Sequence, residues 1–313
     1  MSTKRATREA LGETLIELAA EGIDVVAVDA DLSGSTTTAK FAAAYPERFF
    51  NVGIAEQNMI GTAAGLAVAG KIAFTGSFAV FATGRAYDQV RNTVCYSDLD
   101  VKLAPTHSGI TVGPDGGSHQ MLEDIALMRV LPGMRVLVPA DYVAAKAALR
   151  VAATTPGPFY VRLGRVAAPA IYGDDYRFEL GEARVVREGA HVTLAACGVM
   201  VEAALAAADA LELEGIHAEV LDVSTIKPFP AEAVAASARK TGAVVTCEEH
   251  SIIGGLGSAV AEALGELAPV PLARVGVRDV FGTSGEPAEL MEHFGLSAAH
   301  IADAARGVLK KRP

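Results

Sequence analysis

The strongest constraint on this chain is an alternation that runs along it twice. Short β-branched runs alternate with Ala-rich stretches of helical length. In the first half, residues 24–29, 71–75, 101–105, 135–139 and 159–163 read as strands. Residues 6–21, 56–69, 83–96 and 142–153 read as the helices between them. Such alternation predicts a parallel sheet covered by helices. From 166 to 189 the period is lost among scattered proline, tyrosine and charge, which reads as a linker with room for one strand. A second series follows, with strands at 191–196, 218–223, 243–247 and 272–277 and helices at 201–214, 231–238 and 258–267. A length of 313 residues suits two cores better than one. The expectation is therefore two doubly wound α/β domains, 1–165 and a smaller 189–313, joined by a linker at 166–188.

Composition narrows the function. The chain is 51% hydrophobic, which argues against disorder. Its formal net charge is −10, without a basic stripe, so nucleic acid and anionic membranes are poor partners. A few placed cations can still hold a phosphorylated metabolite. Cys95, Cys197 and Cys247 are far apart and form no CxxC pair, which points to a reducing cytoplasm. The N-terminus is charged and does not read as a signal peptide. The most apolar stretches acquire Glu or Asp before reaching membrane-spanning length.

Ligands of open α/β sheets bind beyond the carboxyl ends of the strands, so the segments just after strands matter most. Glu56 is a lone carboxylate among small and apolar residues. Its ordinary reading is a first-turn helix Glu facing the helix dipole. The alternative is an acid kept protonated by burial and bonded to a ring nitrogen of a cofactor. Phe78 and Phe81 follow a strand in an aromatic-poor chain; they read as a packing face or as a platform for a flat ring. The segment from Thr106 to Gln120 places His107, Asp115 and His119 in a Gly-rich loop, a setting suited to proton transfer and close ligand approach. The histidine spacing matches no common zinc site. Gly254-Gly255-Leu256-Gly257 falls short of a dinucleotide fingerprint, because position 260 is Val, and reads as a tight strand-to-helix turn. Lys4, Arg5, Arg8, Arg162 and Arg165 are candidate phosphate ligands or ordinary surface charges.

Taken together, Asp31-Leu-Ser-Gly-Ser35, Gly53-Ile-Ala-Glu56-Gln-Asn-Met59, Ser77-Phe-Ala-Val-Phe81, Thr106-His107-Ser108 and Gly113-Pro-Asp115-Gly-Gly-Ser-His119-Gln120 resemble the pyrimidine-binding domain of transketolases. Asp222-Val-Ser-Thr-Ile-Lys-Pro-Phe-Pro230 and Glu248-Glu-His-Ser-Ile-Ile-Gly-Gly-Leu-Gly257 resemble the C-terminal domain of the same family. The diphosphate-binding domain has no counterpart here. The resemblance thus implies the C-terminal subunit of a split transketolase, with thiamine diphosphate as cofactor and Mg²⁺ held by a separate N-terminal subunit, in an α2β2 assembly.

The resemblance also implies roles. Glu56 would hydrogen-bond the cofactor's aminopyrimidine, Phe78 would stack on it and Phe81 would line its pocket. Asp115 and His119 would meet sugar hydroxyls, and Ser35, His107 and Arg165 the sugar phosphate. His107 and His119 would carry protons. Where the family often has an Arg for that phosphate, the nearest match is Lys4, with Arg5 and Arg8 close by. Other enzymes with the same two domains stay open, namely a 1-deoxy-D-xylulose-5-phosphate synthase-like enzyme and the β subunit of a 2-oxo acid dehydrogenase. So does a non-catalytic scaffold.

Overall fold

The computed structural model describes residues 4–312. Two large sheets form, as the alternation predicts, with a small two-stranded sheet beside them. The first has seven strands in the order Thr225–Lys227, Arg135–Leu137, Phe159–Val161, Val101–Leu103, Ile72–Gly76, Val25–Asp29 and Phe49–Asn51. All neighbours are parallel except Thr225–Lys227, which runs antiparallel to Arg135–Leu137. Every residue of Val25–Asp29 is buried, because helices cover both faces of the sheet. The second sheet has the order Leu272–Val277, Val244–Ser251, Val192–Ala196, Ala218–Asp222 and Arg184–Arg187, the last antiparallel.

Several elements depart from the sequence reading. The stretch 83–96, read as one α-helix, is two π-helical segments, Val80–Arg85 and Gln89–Cys95. Apolar periodicity does not distinguish the wider i→i+5 turn, which often marks functional sites. The N-terminal helix begins at Glu9, because Arg5–Ala6 instead pairs antiparallel with Ala167–Ala168. The linker is more ordered than expected, since Arg184–Arg187 also joins a sheet. Thr225–Lys227 follows the second series in sequence yet completes the first sheet, so one chain crossing ties the two halves together. Helices Pro287–His293 and Ala298–Leu309 were not anticipated.

A buried polar network joins the halves. Arg162, at the end of a central strand, donates through Nε to Asp124 Oδ2 at 2.7 Å and through Nη2 to Asp124 Oδ1 at 3.2 Å. Its Nη2 also reaches the carbonyls of Met121 at 3.3 Å and Glu249 at 3.0 Å. The Tyr160 hydroxyl donates to Asp124 at 2.5 Å. Glu248 caps the helix Leu256–Leu267, accepting from the amides of Leu256 at 2.7 Å and Gly257 at 2.8 Å. The glycine run is thus a helix entry: a Cβ on Gly255 would lie 2.1 Å from the Glu248 carboxylate.

Removing one partner of a fully buried ion pair strands the other charge. Asp124→Ala is therefore expected to cost about 3–5 kcal/mol of stability, read as a large fall in the urea midpoint. An unchanged midpoint would show that the network does not bear on folding.

Candidate functional site

The site forms where strand ends of the first sheet release their loops. Asp29 closes its strand fully buried, and burial holds its carboxyl above the usual range. It accepts from the Leu32 amide at 2.7 Å and from the hydroxyls of Thr36 at 2.9 Å and Thr38 at 2.8 Å. These bonds fold the 31–38 loop back towards the sheet and fix the position of Ser35. Gly76 ends the adjacent strand, where a Cβ would lie 2.6 Å from Asp29 Oδ2. Asp29 was not singled out from sequence; an acid ending an apolar strand was the available signal.

Beyond Gly76 the chain turns into Val80–Arg85, which presents aromatic rings. Phe78 is buried and stacks on His107, with ring centroids 3.8 Å apart. Phe81 lies 6.0 Å from Phe78 with nearly parallel planes, and the edge of His119 meets Phe81 at 5.4 Å. Glu56 opens the helix Glu56–Val68 and is only 3% exposed. Its Oε1 accepts from Arg85 Nη1 at 2.9 Å, and the same guanidinium lies 4.6 Å from the centre of the Phe81 ring. Glu56 is thus both a first-turn helix acid and a buried one, so the structure fits either reading of it, and its pairing with Arg85 does not follow from sequence.

A cationic corner adjoins the rings. Arg8 Nη1 donates to the Ser35 carbonyl at 3.0 Å and lies 3.4 Å from His107 Nε2. Arg8 Nε is buried without a partner. Arg165 Nη1 donates to the Val112 carbonyl at 2.5 Å and lies 3.6 Å from Asp115. Burial, and then the neighbouring Arg165, hold the Arg8 guanidinium below its usual value. Lys4 is exposed, and Arg5 is committed to Glu9 and Glu13, so Arg8 is the N-terminal cation that faces the site. Ser35 contributes its carbonyl to this contact rather than its hydroxyl.

His107 has φ of 59° and bonds the Thr106 hydroxyl through Nδ1 at 2.7 Å. Burial, then Arg8 and Arg165, hold its imidazole down at about 3. The ring is therefore neutral at physiological pH. Asp115 is exposed at the loop tip and His119 is half-buried, with Nδ1 3.0 Å from the Ser118 hydroxyl. Glu56, Phe78, Phe81, His107, His119, Ser35, Asp115 and Arg165 thus line one continuous region. Cys95, Cys197 and Cys247 are free and buried, and burial raises all three thiols, so none is poised to react.

The family model of the transketolase pyrimidine-binding domain matches residues 3–170, and that of the transketolase C-terminal domain matches 181–301. The chain belongs to the transketolase family. It is 48% identical over 310 residues to a putative transketolase C-terminal section of Methanocaldococcus jannaschii, covering 98% of this chain and 97% of that one. It is 48% identical over 305 residues to a 6-deoxy-6-sulfo-D-fructose transketolase subunit of a Clostridium species, covering 97% and 95%. Against human transketolase it is 38% identical and spans about half of that longer protein, covering 98% of this chain and 50% of that one. A solved split-gene transketolase, described as an inactive β4 tetramer, superposes with a TM-score of 0.92 at 51% identity, covering 99% of this chain and 100% of that one. The transketolase subunit reading, the α/β fold and the pairing of two transketolase domains therefore stand together. No helix among the described residues is long and apolar enough to cross a membrane.

The His107 geometry carries a pH dependence. Folded His107 takes up its proton near 3, whereas an unfolded histidine does so near 6.5. Between those values the unfolded chain binds more protons, so stability rises with pH across the window. Wild type should lose more stability than His107→Asn when pH falls from 7 to 5, as read by urea midpoints. Equal losses would place His107 in a solvated setting.

Proposed function

We propose that this chain is the pyrimidine-side subunit of a thiamine diphosphate-dependent transketolase that moves a two-carbon ketol unit between sugars carrying a terminal anion. The observation that carries the reading is the Glu56–Phe81–Arg85 arrangement. A guanidinium is flat, cationic and built on an N–C–N unit; here it bonds a buried carboxylate at its edge and meets an aromatic ring on its face. An aminopyrimidine needs the same two contacts. Arg85 is half-exposed and free to leave, so the residues present fit the cofactor's pyrimidine.

Glu56 would hydrogen-bond the pyrimidine ring nitrogen. Phe81, whose face carries the guanidinium, would stack on the ring, and Phe78, stacked on His107, would line its pocket instead of stacking as the resemblance implies. Bound thiamine diphosphate supplies the nucleophilic carbon for cleaving and forming the bond beside a ketose carbonyl. Arg8 and Arg165, with Ser35 and His107, would surround a seat for the substrate's anion. The family includes subunits for a sulfosugar and for apulose 4-phosphate, so phosphate and sulfonate are both candidate anions. Asp115 and His119 would meet hydroxyls near the reacting end. A neutral His107 is a weak base, so it serves best as a hydrogen-bond partner, and proton transfer falls to His119.

Among the described residues no group of three His, Cys, Asp or Glu is placed to hold a metal. The Mg²⁺ ligands and the diphosphate site belong, in this reading, to a separate N-terminal subunit, in an α2β2 complex working in the cytoplasm. The solved relative's β4 assembly concerns that protein alone. The cationic corner of Arg8 and Arg165 favours a sugar-phosphate substrate over a simple 2-oxo acid.

The test mixes this chain with a diphosphate-domain subunit, thiamine diphosphate, Mg²⁺, xylulose 5-phosphate and ribose 5-phosphate. Ketol transfer should need both chains and fall at least a hundredfold in Glu56→Gln, which is about 2.7 kcal/mol of transition-state stabilisation. Full activity in that variant would contradict the role given to Glu56. Arg8→Ala should raise KM for the phosphorylated sugars by roughly ten- to a hundredfold, the loss of a charged hydrogen bond, while cofactor affinity stays unchanged. An unchanged KM would remove Arg8 from the anion seat.

A further inference from the structure

None of the site residues named above comes from the second domain, yet that domain reaches the substrate loop. Glu249 ends the inner part of the strand Val244–Ser251 and is buried, with 4% exposure. Its Oε1 accepts from the backbone amide of Thr111 at 2.6 Å, across the domain boundary. The carboxylate lies flat against Gly109, where a Cβ would sit 2.2–2.6 Å from three Glu249 atoms. Gly109 has φ of 75°, a left-handed backbone that favours glycine, so turn and carboxylate fit one another. The carbonyl of Glu249 is held in turn by Arg162 Nη2 at 3.0 Å, and the same nitrogen holds the Met121 carbonyl at 3.3 Å. One end of the loop is thus fixed by Glu249, and its far end by the Arg162 fork.

We propose that Glu249 is a positioning residue, which sets from the second domain the path of the loop carrying Asp115 and His119. The inference rests on reading that loop as substrate-binding. Physically, the amide of Thr111 opens the 3₁₀ turn Ile110–Asp115, and its donor has no partner inside that turn. Glu249 fills the vacancy and anchors the turn. Gln120 closes it, donating to the carbonyls of Ile110 at 3.0 Å and Gly113 at 3.4 Å, and to Thr283 of the second domain at 2.9 Å. Burial raises the Glu249 carboxyl above its usual range, so a neutral side chain of the same reach is tolerated there.

Three variants of the full-length chain separate reach from charge. Glu249→Gln keeps an acceptor oxygen at the same reach, Glu249→Asp withdraws it by one methylene, and Glu249→Ala removes it. Amide hydrogen exchange on the isolated chain should quicken about tenfold or more across residues 109–120 in the Asp and Ala variants, while the rest of the molecule is unchanged. The Gln variant should stay within about twofold of wild type. If Ala fails to fold, the Asp and Gln pair still decides. Wild-type exchange in the Asp variant, or loosening in Gln equal to that in Asp, would overturn the proposal. In the assembled enzyme, Glu249→Asp should raise KM for the sugar phosphate about tenfold with kcat within about threefold and cofactor affinity unchanged. A loosened loop with unaltered KM would leave the positioning role standing and contradict the substrate reading instead.

Discussion

The guanidinium of Arg162 is the interaction on which the rest of this structure leans. It is almost completely buried, and a buried charge persists only when paired and fully hydrogen-bonded. Asp124 neutralises it through Nε and Nη2, Tyr160 supports Asp124, and Nη2 also donates to two carbonyls. One carbonyl, of Met121, follows the Gly-rich loop and the other, of Glu249, belongs to the second domain. The pairing that makes burial tolerable therefore also fixes the two domains against each other. A Lys could not do this, since the fork geometry of Arg serves three partners in different directions.

Much of the fold was legible because its strands and helices differ in kind. Fully apolar β-branched runs such as Val25–Asp29 and Ala-rich helices such as Tyr142–Thr154 each have one reading. Misses occurred where local pattern carries no information. Thr225–Lys227 is too short to announce a strand, and its place in the first sheet is decided by the chain's path. The π-helical turns at Val80–Arg85 and Gln89–Cys95 have the composition of an ordinary helix.

The candidate site was legible through its chemistry-bearing residues and illegible in their pairings. Phe78, Phe81, His107, Asp115 and His119 stand out as rare types beside glycines and strand ends. Nothing in their spacing foretells that Arg85 sits on Glu56, that Arg8 rather than Lys4 faces His107 and Ser35, or that Asp29 folds the Ser35 loop. These contacts join residues 27 to 99 positions apart or turn on backbone geometry, so only the folded chain reveals them. The neutral state of His107 is a similar case, because it arises from burial and from cations brought in by other segments.

In the proposed function this chain is half of a cofactor site, with the pyrimidine end supplied here and the diphosphate end elsewhere. Calorimetric titration of thiamine diphosphate with Mg²⁺ tests that division most directly, using this chain alone, the diphosphate-domain subunit alone, and the two mixed. Tight binding confined to the mixture, and weakened by Phe78→Ala on this side, is the predicted result. Equal affinity in the mixture and in either chain alone, or indifference to Phe78→Ala, would contradict it.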